Sequence, residues 1–147
     1  YITAAARSDY NDYVFVHEMG HHIAGLADEY YQSHVAYDPA NTSVEPWEFN
    51  VTALLNPENL KWNDIVTPGI PIPTPWNKAE YEKKDSNKTK VLENDPYAGK
   101  VGAFEGANYL SNGMYRSEVD CIMFSKSLRF CRVCERGLNQ VIDLYCK

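Results

Sequence analysis

The segment His17-Glu18-Met19-Gly20-His21 constrains this chain more than any other feature. On an α-helix at about 100° per residue, His17 and His21 lie roughly 40° apart around the axis, so both imidazoles can reach one metal ion. Glu18 adjoins that face, where its carboxylate can take a proton from metal-bound water. His22 lies about 140° from His17 on the same wheel and is predicted to point away. The spacing therefore predicts a zinc-binding helix.

The residues around this segment predict where the helix begins and ends. We expect it to run over about 12–24, with a cap from Ser8, Asp9 or Asn11. The apolar residues expected to face the core are Phe15, Met19 and Ile23. Gly25 is predicted to end the helix, because glycine enters positive φ without steric cost. A carboxylate, Asp28, follows this glycine three residues later.

Segments spread over most of the chain resemble one bacterial peptidase family. The string HEMGHHIAGLADEYY is similar to the metzincin pattern HExxHxxGxxH, with one extra residue before Gly25 and Asp28 in place of the third histidine. It resembles more closely the family that includes immunoglobulin A peptidase, the sixty-fourth family of metallopeptidases. Further matching segments lie at 45–52, 60–62, 68–75, 101–109, 113–116, 121–123 and 130–134.

The resemblance implies a catalytic zinc ion and its ligands. His17, His21 and Asp28 are implied as three protein ligands, and a carboxylate oxygen is an accepted zinc donor. Glu29 and His34 stay open as alternatives to Asp28. With three protein ligands, a fourth position remains for water, as in catalytic zinc sites.

Two further residues are given roles by the same resemblance. Met123 is implied to lie in a methionine-containing turn beneath the metal, where an unbranched thioether fills an irregular apolar gap. Many metzincins carry a tyrosine two residues after this methionine, but Ser125 stands there. Tyr115 is therefore a candidate phenol donor to the developing oxyanion.

The expected reaction is peptide hydrolysis in a single step without a covalent intermediate. Zinc activates the water and Glu18 acts as the general base, returning the proton to the leaving amine. The sequence has no GxSxG, P-loop or GxGxxG motif to indicate another chemistry. The alternatives are an inactive zinc-binding domain that recognises a host protein or glycan, and a structural domain in which the histidines merely pack.

The fold class expected is α+β, as the C-terminal part of a metzincin-like zincin domain. We expect one unit over 1–147, with a strand end and the active-site helix in 1–30, long irregular loops in 31–112, and a Met-turn and C-terminal helix in 113–147. That last helix is expected over 128–146, with Gly137 as a mild weakness. A metzincin-like domain places most of its sheet before the active-site helix, so we expect this chain to be a fragment that lacks its N-terminal part.

The four cysteines are expected to form one or two disulfides, because the count is even and the resemblance implies an exported peptidase. Cys121 paired with Cys131 or Cys134 is the first expectation, and Cys146 is the remaining candidate. Three complete pairings are possible from sequence alone. A site made of four thiolates is disfavoured, since the cysteines lack a second close pair.

Charge and hydropathy limit the classes of partner expected for this chain. A formal charge of −6 disfavours nucleic acid, and no apolar run approaches the length of a membrane span. The expected partner is a protein or peptide substrate, and the resemblance adds host glycoproteins such as immunoglobulin as candidates. It also implies a secreted, periplasmic or cell-surface location in a bacterium, although the chain carries no signal segment.

Overall fold

The computed structural model describes residues 10–32, 44–54 and 56–146. Within these ranges the chain is a small α+β protein, which agrees with the expected class. The helices are α1 Asn11–Ala24, α2 Lys78–Tyr81, α3 Lys88–Glu93 and α4 Arg132–Tyr145, with 3-10 helices at Pro57–Asn59 and Asn63–Ile65. The strands are β1 Val51–Thr52, β2 Phe104–Ala107 and β3 Leu110–Arg116.

Helix α1 begins within one residue of its expected start and ends as expected. Its N-terminal flanking residue is Tyr10, which makes no side-chain capping bond, and Asn11 is the first helical residue rather than the cap. Ser8 and Asp9 lie outside the described residues. Gly25 ends the helix in the left-handed conformation with φ 60°, and its N–H donates to the carbonyl of His21 at 3.0 Å. The glycine prediction is confirmed.

The expected core face of α1 is wrong at one position. Phe15 is 57% exposed, whereas Met19 and Ile23 are half-buried. The buried helix residues are His17 and Gly20. The side of α1 that faces the protein is therefore the side that carries the histidines.

The sheet is antiparallel in the order β1-β3-β2. Arg116 of β3 pairs with Val51 on one side and with Phe104 on the other. Its side chain is fully buried, and its guanidinium donates to the carbonyls of Gly106 at 2.7 Å and Val119 at 3.0 Å. These bonds join the sheet to the chain that leads into the Met-turn, which we define as residues 121–125.

The main core lies among the loops, the sheet and α4. It contains aromatic, aliphatic and thiol side chains, among them Trp62, Phe104, Ile122, Met123 and Val133, all fully buried. Helices α1 and α4 pack against each other. The core thus holds the Met-turn between the sheet and the two long helices.

Two expectations about element boundaries need correction. The region 31–112 is not only loop, since it contains two 3-10 helices, two short α-helices and three strand segments among the described residues. The C-terminal helix starts at Arg132 rather than near 128, and Leu128 is 72% exposed in the preceding turn. The strand end expected at 1–6 lies outside the described residues.

None of the helices in the described ranges has the length and apolar character needed to cross a bilayer.

Candidate metal centre

Backbone carbonyls orient the two histidines of α1. The Nδ1 of His17 donates to the carbonyl of Ile122 at 2.9 Å, and the Nδ1 of His21 donates to the carbonyl of Leu26 at 2.5 Å. A carbonyl only accepts hydrogen bonds, so each Nδ1 carries the proton. In a neutral imidazole the other nitrogen, Nε2, then keeps its lone pair. Both rings therefore present an acceptor atom to the space between them.

Three acceptor atoms converge in that space. The two Nε2 atoms lie 3.2 Å apart, and Oδ1 of Asp28 lies 3.0 Å from Nε2 of His17 and 3.2 Å from Nε2 of His21. Tetrahedral zinc with donors at about 2.0–2.1 Å places those donors roughly 3.3 Å apart. Lone pairs that face one another this closely repel unless a positive charge lies among them. His17, His21 and Asp28, called here the histidine site, therefore fit a divalent cation.

The electrostatics of this site keep the carboxylate ionised. Burial opposes ionisation, but hydrogen bonds with His17, His21 and Tyr109 lower the pKa of Asp28 well below its ordinary range. Burial also disfavours protonation of His21, yet the hydrogen bonds to Asp28 and Leu26 raise its pKa.

Tyr109 holds the other oxygen of Asp28. Its hydroxyl donates to Oδ2 of Asp28, and it lies 3.4 Å from the hydroxyl of Tyr30. Burial, followed by the bond to Asp28, raises the pKa of Tyr109 beyond the ordinary range of a phenol, so the hydroxyl stays protonated. Backbone bonds from Asn108 to Asp28 and from Tyr109 to Tyr30, each 3.0 Å, fix the two segments together.

The Met-turn lies against α1 at Gly20. Met123 is fully buried, and a Cβ added to Gly20 would lie 3.1 Å from the Met123 sulfur. The carbonyl of Met123 accepts from the backbone N–H of Glu29 at 2.8 Å. The turn thus supports the histidine site twice, through the Ile122 carbonyl on His17 and through the backbone next to Asp28.

The other expected site residues have different positions. Glu18 is half-buried on α1, and its carboxylate has no hydrogen-bond partner among the described residues. His22 is exposed, in agreement with the helix wheel. Glu29 points to the cysteines rather than to the histidines. His34 lies outside the described residues, so it is not placed relative to the site.

Tyr115 lies in a separate groove of about 370 Å³. The residues that line this groove are Pro73, Thr74, Pro75, Trp76, Lys78, Glu105 and Tyr115. Burial and then the neighbouring Glu105 raise the pKa of Tyr115. None of its described contacts is with the histidine site, and its role as an oxyanion donor stays a prediction.

The disulfides expected from the cysteine count are absent, so that prediction is wrong. Cys121, Cys131 and Cys134 are buried free thiols, and Cys146 is exposed and also free. The sulfur atoms of Cys121 and Cys134 are 3.9 Å apart, far beyond a disulfide bond of about 2.05 Å. The three buried thiols instead lie around a common point with Glu29.

The sequence pattern predicted that His17, His21 and Asp28 lie together, as they do in the structure, but it did not indicate Tyr109. That tyrosine is 81 residues from Asp28 along the chain, and no local pattern indicates the contact. Its inclusion in a segment that matched the family was the one available signal.

Comparison with known proteins places the chain in context. The model of the family described as IgA Peptidase M64 matches residues 1–142, which is nearly the whole chain. A search of the curated proteins gave no match.

Proposed function

This chain belongs to the IgA Peptidase M64 family, and on that premise we propose that it is a zinc-dependent endopeptidase in which Glu18 is the general base. Membership in a peptidase family makes the substrate a protein or peptide. The observation that carries the proposal is the convergence of His17, His21 and Asp28 at 3.0–3.2 Å on one point. All three donors are nitrogen or oxygen atoms, the set found in catalytic zinc sites.

The open position in this donor set favours catalysis over a purely structural metal. Three protein donors leave one position of a tetrahedron for water, whereas structural zinc sites use four protein donors. When bound, zinc supplies Lewis acidity that lowers the pKa of its water and polarises the scissile carbonyl. Proton transfer and positioning of the ligands are the tasks of the protein side chains.

Glu18 is proposed to move the proton. It directly follows His17 on α1, so its carboxylate starts next to the histidine site. Because no described group holds it in a hydrogen bond, it is available to accept a proton from the attacking water and to return it to the departing amine. No serine or cysteine nucleophile is required.

Hydrogen bonds to the far sides of the three ligands are proposed to hold their donor atoms in position for the metal. The carbonyls of Ile122 and Leu26 hold the rings of His17 and His21 with Nε2 facing inward, and Tyr109 holds Asp28. Such contacts fix tautomer and orientation before the metal arrives. The Met-turn belongs to this support, as the metzincin resemblance implies.

We extend the proposal to an exported bacterial enzyme whose substrates include host glycoproteins of the immunoglobulin class. The support is the description of the family, which names IgA peptidase. A panel of purified immunoglobulins and unrelated proteins tests this part separately. Cleavage restricted to the unrelated proteins would reject the glycoprotein assignment and leave the reaction class intact.

The decisive experiment is Glu18→Gln, with zinc content and peptide hydrolysis measured on the same preparation. We expect the variant to keep its zinc, because Glu18 is not a proposed ligand, and to lose about 10²–10⁴-fold in hydrolysis. Glu93→Gln, at an exposed position on α3, is the matched control and should keep full activity.

Two outcomes would contradict the proposal. Hydrolysis retained in Glu18→Gln would remove this residue from catalysis. Zinc-loaded wild-type protein that cleaves no protein or peptide would instead favour the inactive zinc-binding domain.

A further inference from the structure

A second group of metal-binding side chains lies next to the histidine site and takes no part in the proposed reaction. It comprises Glu29, Cys121, Cys131 and Cys134, called here the thiol cluster. Every one of these residues has 0% exposure. One donor atom from each lies within 4.8 Å of all the others. They come from the segment after α1, from the Met-turn and from the start of α4.

The distances within the thiol cluster match those around a tetrahedral ion. The sulfur atoms of Cys121 and Cys134 are 3.9 Å apart, and Oε1 of Glu29 lies 3.3 Å from the Cys134 sulfur and 3.8 Å from the Cys131 sulfur. With Zn–S at about 2.3 Å and Zn–O at about 2.0–2.2 Å, a tetrahedron requires roughly 3.8 Å between sulfurs and 3.5 Å between sulfur and oxygen. The side chains therefore need little movement to bind an ion.

Glu29 supplies an independent indication of a missing partner. Its Oε1 accepts from Asn50 at 3.1 Å, but Oε2 is buried with no hydrogen-bond partner among the described residues. Buried carboxylate oxygens are normally paired with hydrogen-bond donors or metal ions. A cation bound at Oε1 would place positive charge next to this carboxylate, whose Oε2 has no hydrogen-bond donor among the described residues.

The backbone around the cysteines is arranged to stabilise thiolates. The N–H of Cys131 donates to the Cys121 sulfur at 3.2 Å, the N–H of Met123 donates to the same sulfur at 3.5 Å, and the N–H of Cys134 donates to the Cys131 sulfur at 3.5 Å. Cys131 is also the N-cap of α4, where the helix dipole favours negative charge. Such bonds to sulfur are the usual outer contacts of metal-bound cysteines.

The buried guanidinium of Arg116 offsets part of the negative charge that the thiol cluster would carry. Burial lowers the pKa of Arg116 to about 10, which still leaves its guanidinium charged at neutral pH, and the field of Glu29 opposes that decrease. A divalent ion among the three sulfur atoms and the carboxylate would offset more of that negative charge.

We propose that Glu29, Cys121, Cys131 and Cys134 bind a second zinc ion that has a structural role. Four protein donors close the coordination shell and leave no position for a reactive water, in contrast to the histidine site. The ion ties the first turn of α4 to the Met-turn and to the segment that carries Asp28. It takes the place of the disulfide expected from the cysteine count.

The test measures zinc content and zinc coordination in wild-type protein purified without chelators. We expect two zinc ions per chain, and X-ray absorption at the zinc edge should show sulfur scatterers at about 2.3 Å besides nitrogen and oxygen. The double variant His17→Ala/His21→Ala should keep one zinc with sulfur-rich coordination. Cys121→Ser/Cys134→Ser should lose the sulfur signal, and Cys146→Ser, at the exposed free cysteine, should match wild type.

The outcomes separate this proposal from the peptidase proposal. Zinc-replete wild-type protein without sulfur scatterers would overturn the second site, and so would a disulfide among the buried cysteines, detected as fewer than four free thiols after unfolding. These measurements need only wild-type protein, so they decide the question even where the cysteine variants fail to fold. Loss of hydrolysis alone, with the sulfur signal intact, would reject only the peptidase function.

Discussion

At the scale of single residues, the histidine site depends on contacts that fix the direction of each donor. Each imidazole donates a hydrogen bond from its Nδ1–H to a backbone carbonyl, and the two Nε2 atoms then face each other at 3.2 Å. The two oxygens of Asp28 also have different partners: Oδ1 faces the histidines, and Oδ2 accepts a hydrogen bond from Tyr109. Each donor is therefore held from its far side before a metal binds.

Tyr109→Phe tests this support for Asp28. The variant keeps the ring but removes the hydroxyl, so Oδ2 of Asp28 loses its donor. We expect the histidine site to bind zinc about 10–100-fold more weakly, as is typical when an outer contact of a metal ligand is removed. The measurement is the zinc concentration that restores half of the hydrolysis after the metal has been removed.

Tyr97→Phe is the matched control, because the Tyr97 ring packs against the core and under the Lys100 ammonium, and none of its described contacts is with a proposed ligand. It should need the same zinc concentration as wild type. An unchanged zinc requirement in Tyr109→Phe would show that the bond to Asp28 does not support the site.

Spacing in the sequence predicted the parts of the site that are local. His17 and His21 are one helical turn apart, and Gly25 adopts the positive φ that its place after α1 required. Tyr109 could not be predicted, because its bond to Asp28 spans 81 residues. The pairing of the cysteines was predicted wrongly, because a count does not reveal that Glu29 lies among them.

At the scale of elements, α4 shows how packing overrides helix propensity. By helix propensity alone Gly137 is a weakness in this helix, since glycine lowers helix stability by about 1 kcal/mol relative to alanine. In the structure, a Cβ at position 137 would lie 1.7 Å from Cζ of Phe49. Glycine is therefore needed for the phenylalanine ring to contact the helix.

Gly137→Ala is expected to lower the free energy of unfolding by about 1–3 kcal/mol, despite the better helix propensity of alanine. Urea denaturation followed by circular dichroism measures the change. Gln140→Ala, on the exposed side of α4, should stay within about 0.5 kcal/mol of wild type. The double variant Gly137→Ala/Phe49→Ala should lose less free energy of unfolding than the two single variants lose in sum. The reason is that Phe49→Ala removes the ring with which the new Cβ would clash. A stabilised Gly137→Ala would contradict the predicted contact.

The elements differ in how far the sequence could predict them. Helix α1 was placed within one residue because its periodicity is local. The start of α4 was placed about four residues early, since Leu128 continued the apolar spacing although it is 72% exposed. The strands were missed because they are two to seven residues long and pair over long separations, as Val51 does with Arg116.

At the scale of the whole molecule, the two candidate zinc sites share the segments that hold the fold together. Asp28 and Glu29 are consecutive, yet they face the histidines and the cysteines respectively. Cys121 and Ile122 are also consecutive, and they contact Cys134 and His17. Metal binding at either site would therefore stabilise the Met-turn and the segment after α1 in the positions that the other site requires.

This arrangement predicts that zinc removal destabilises the protein as a whole. At free zinc 100-fold above the dissociation constant, each site adds about 2.7 kcal/mol to the free energy of unfolding. For a chain of this size that corresponds to a melting temperature raised by roughly 5–11 °C per site. Thermal unfolding after treatment with a chelator should therefore show a lower melting temperature, which zinc restores.

Calcium at the same concentration is the matched control, because Ca²⁺ prefers oxygen ligands and should not restore the melting temperature. In His17→Ala/His21→Ala, zinc should still raise the melting temperature, but by the contribution of the thiol cluster alone. A zinc effect that disappears in this variant would assign the whole stabilisation to the histidine site. A melting temperature that does not respond to zinc in wild type would contradict metal binding at both sites, because a ligand that binds only the folded state must stabilise it.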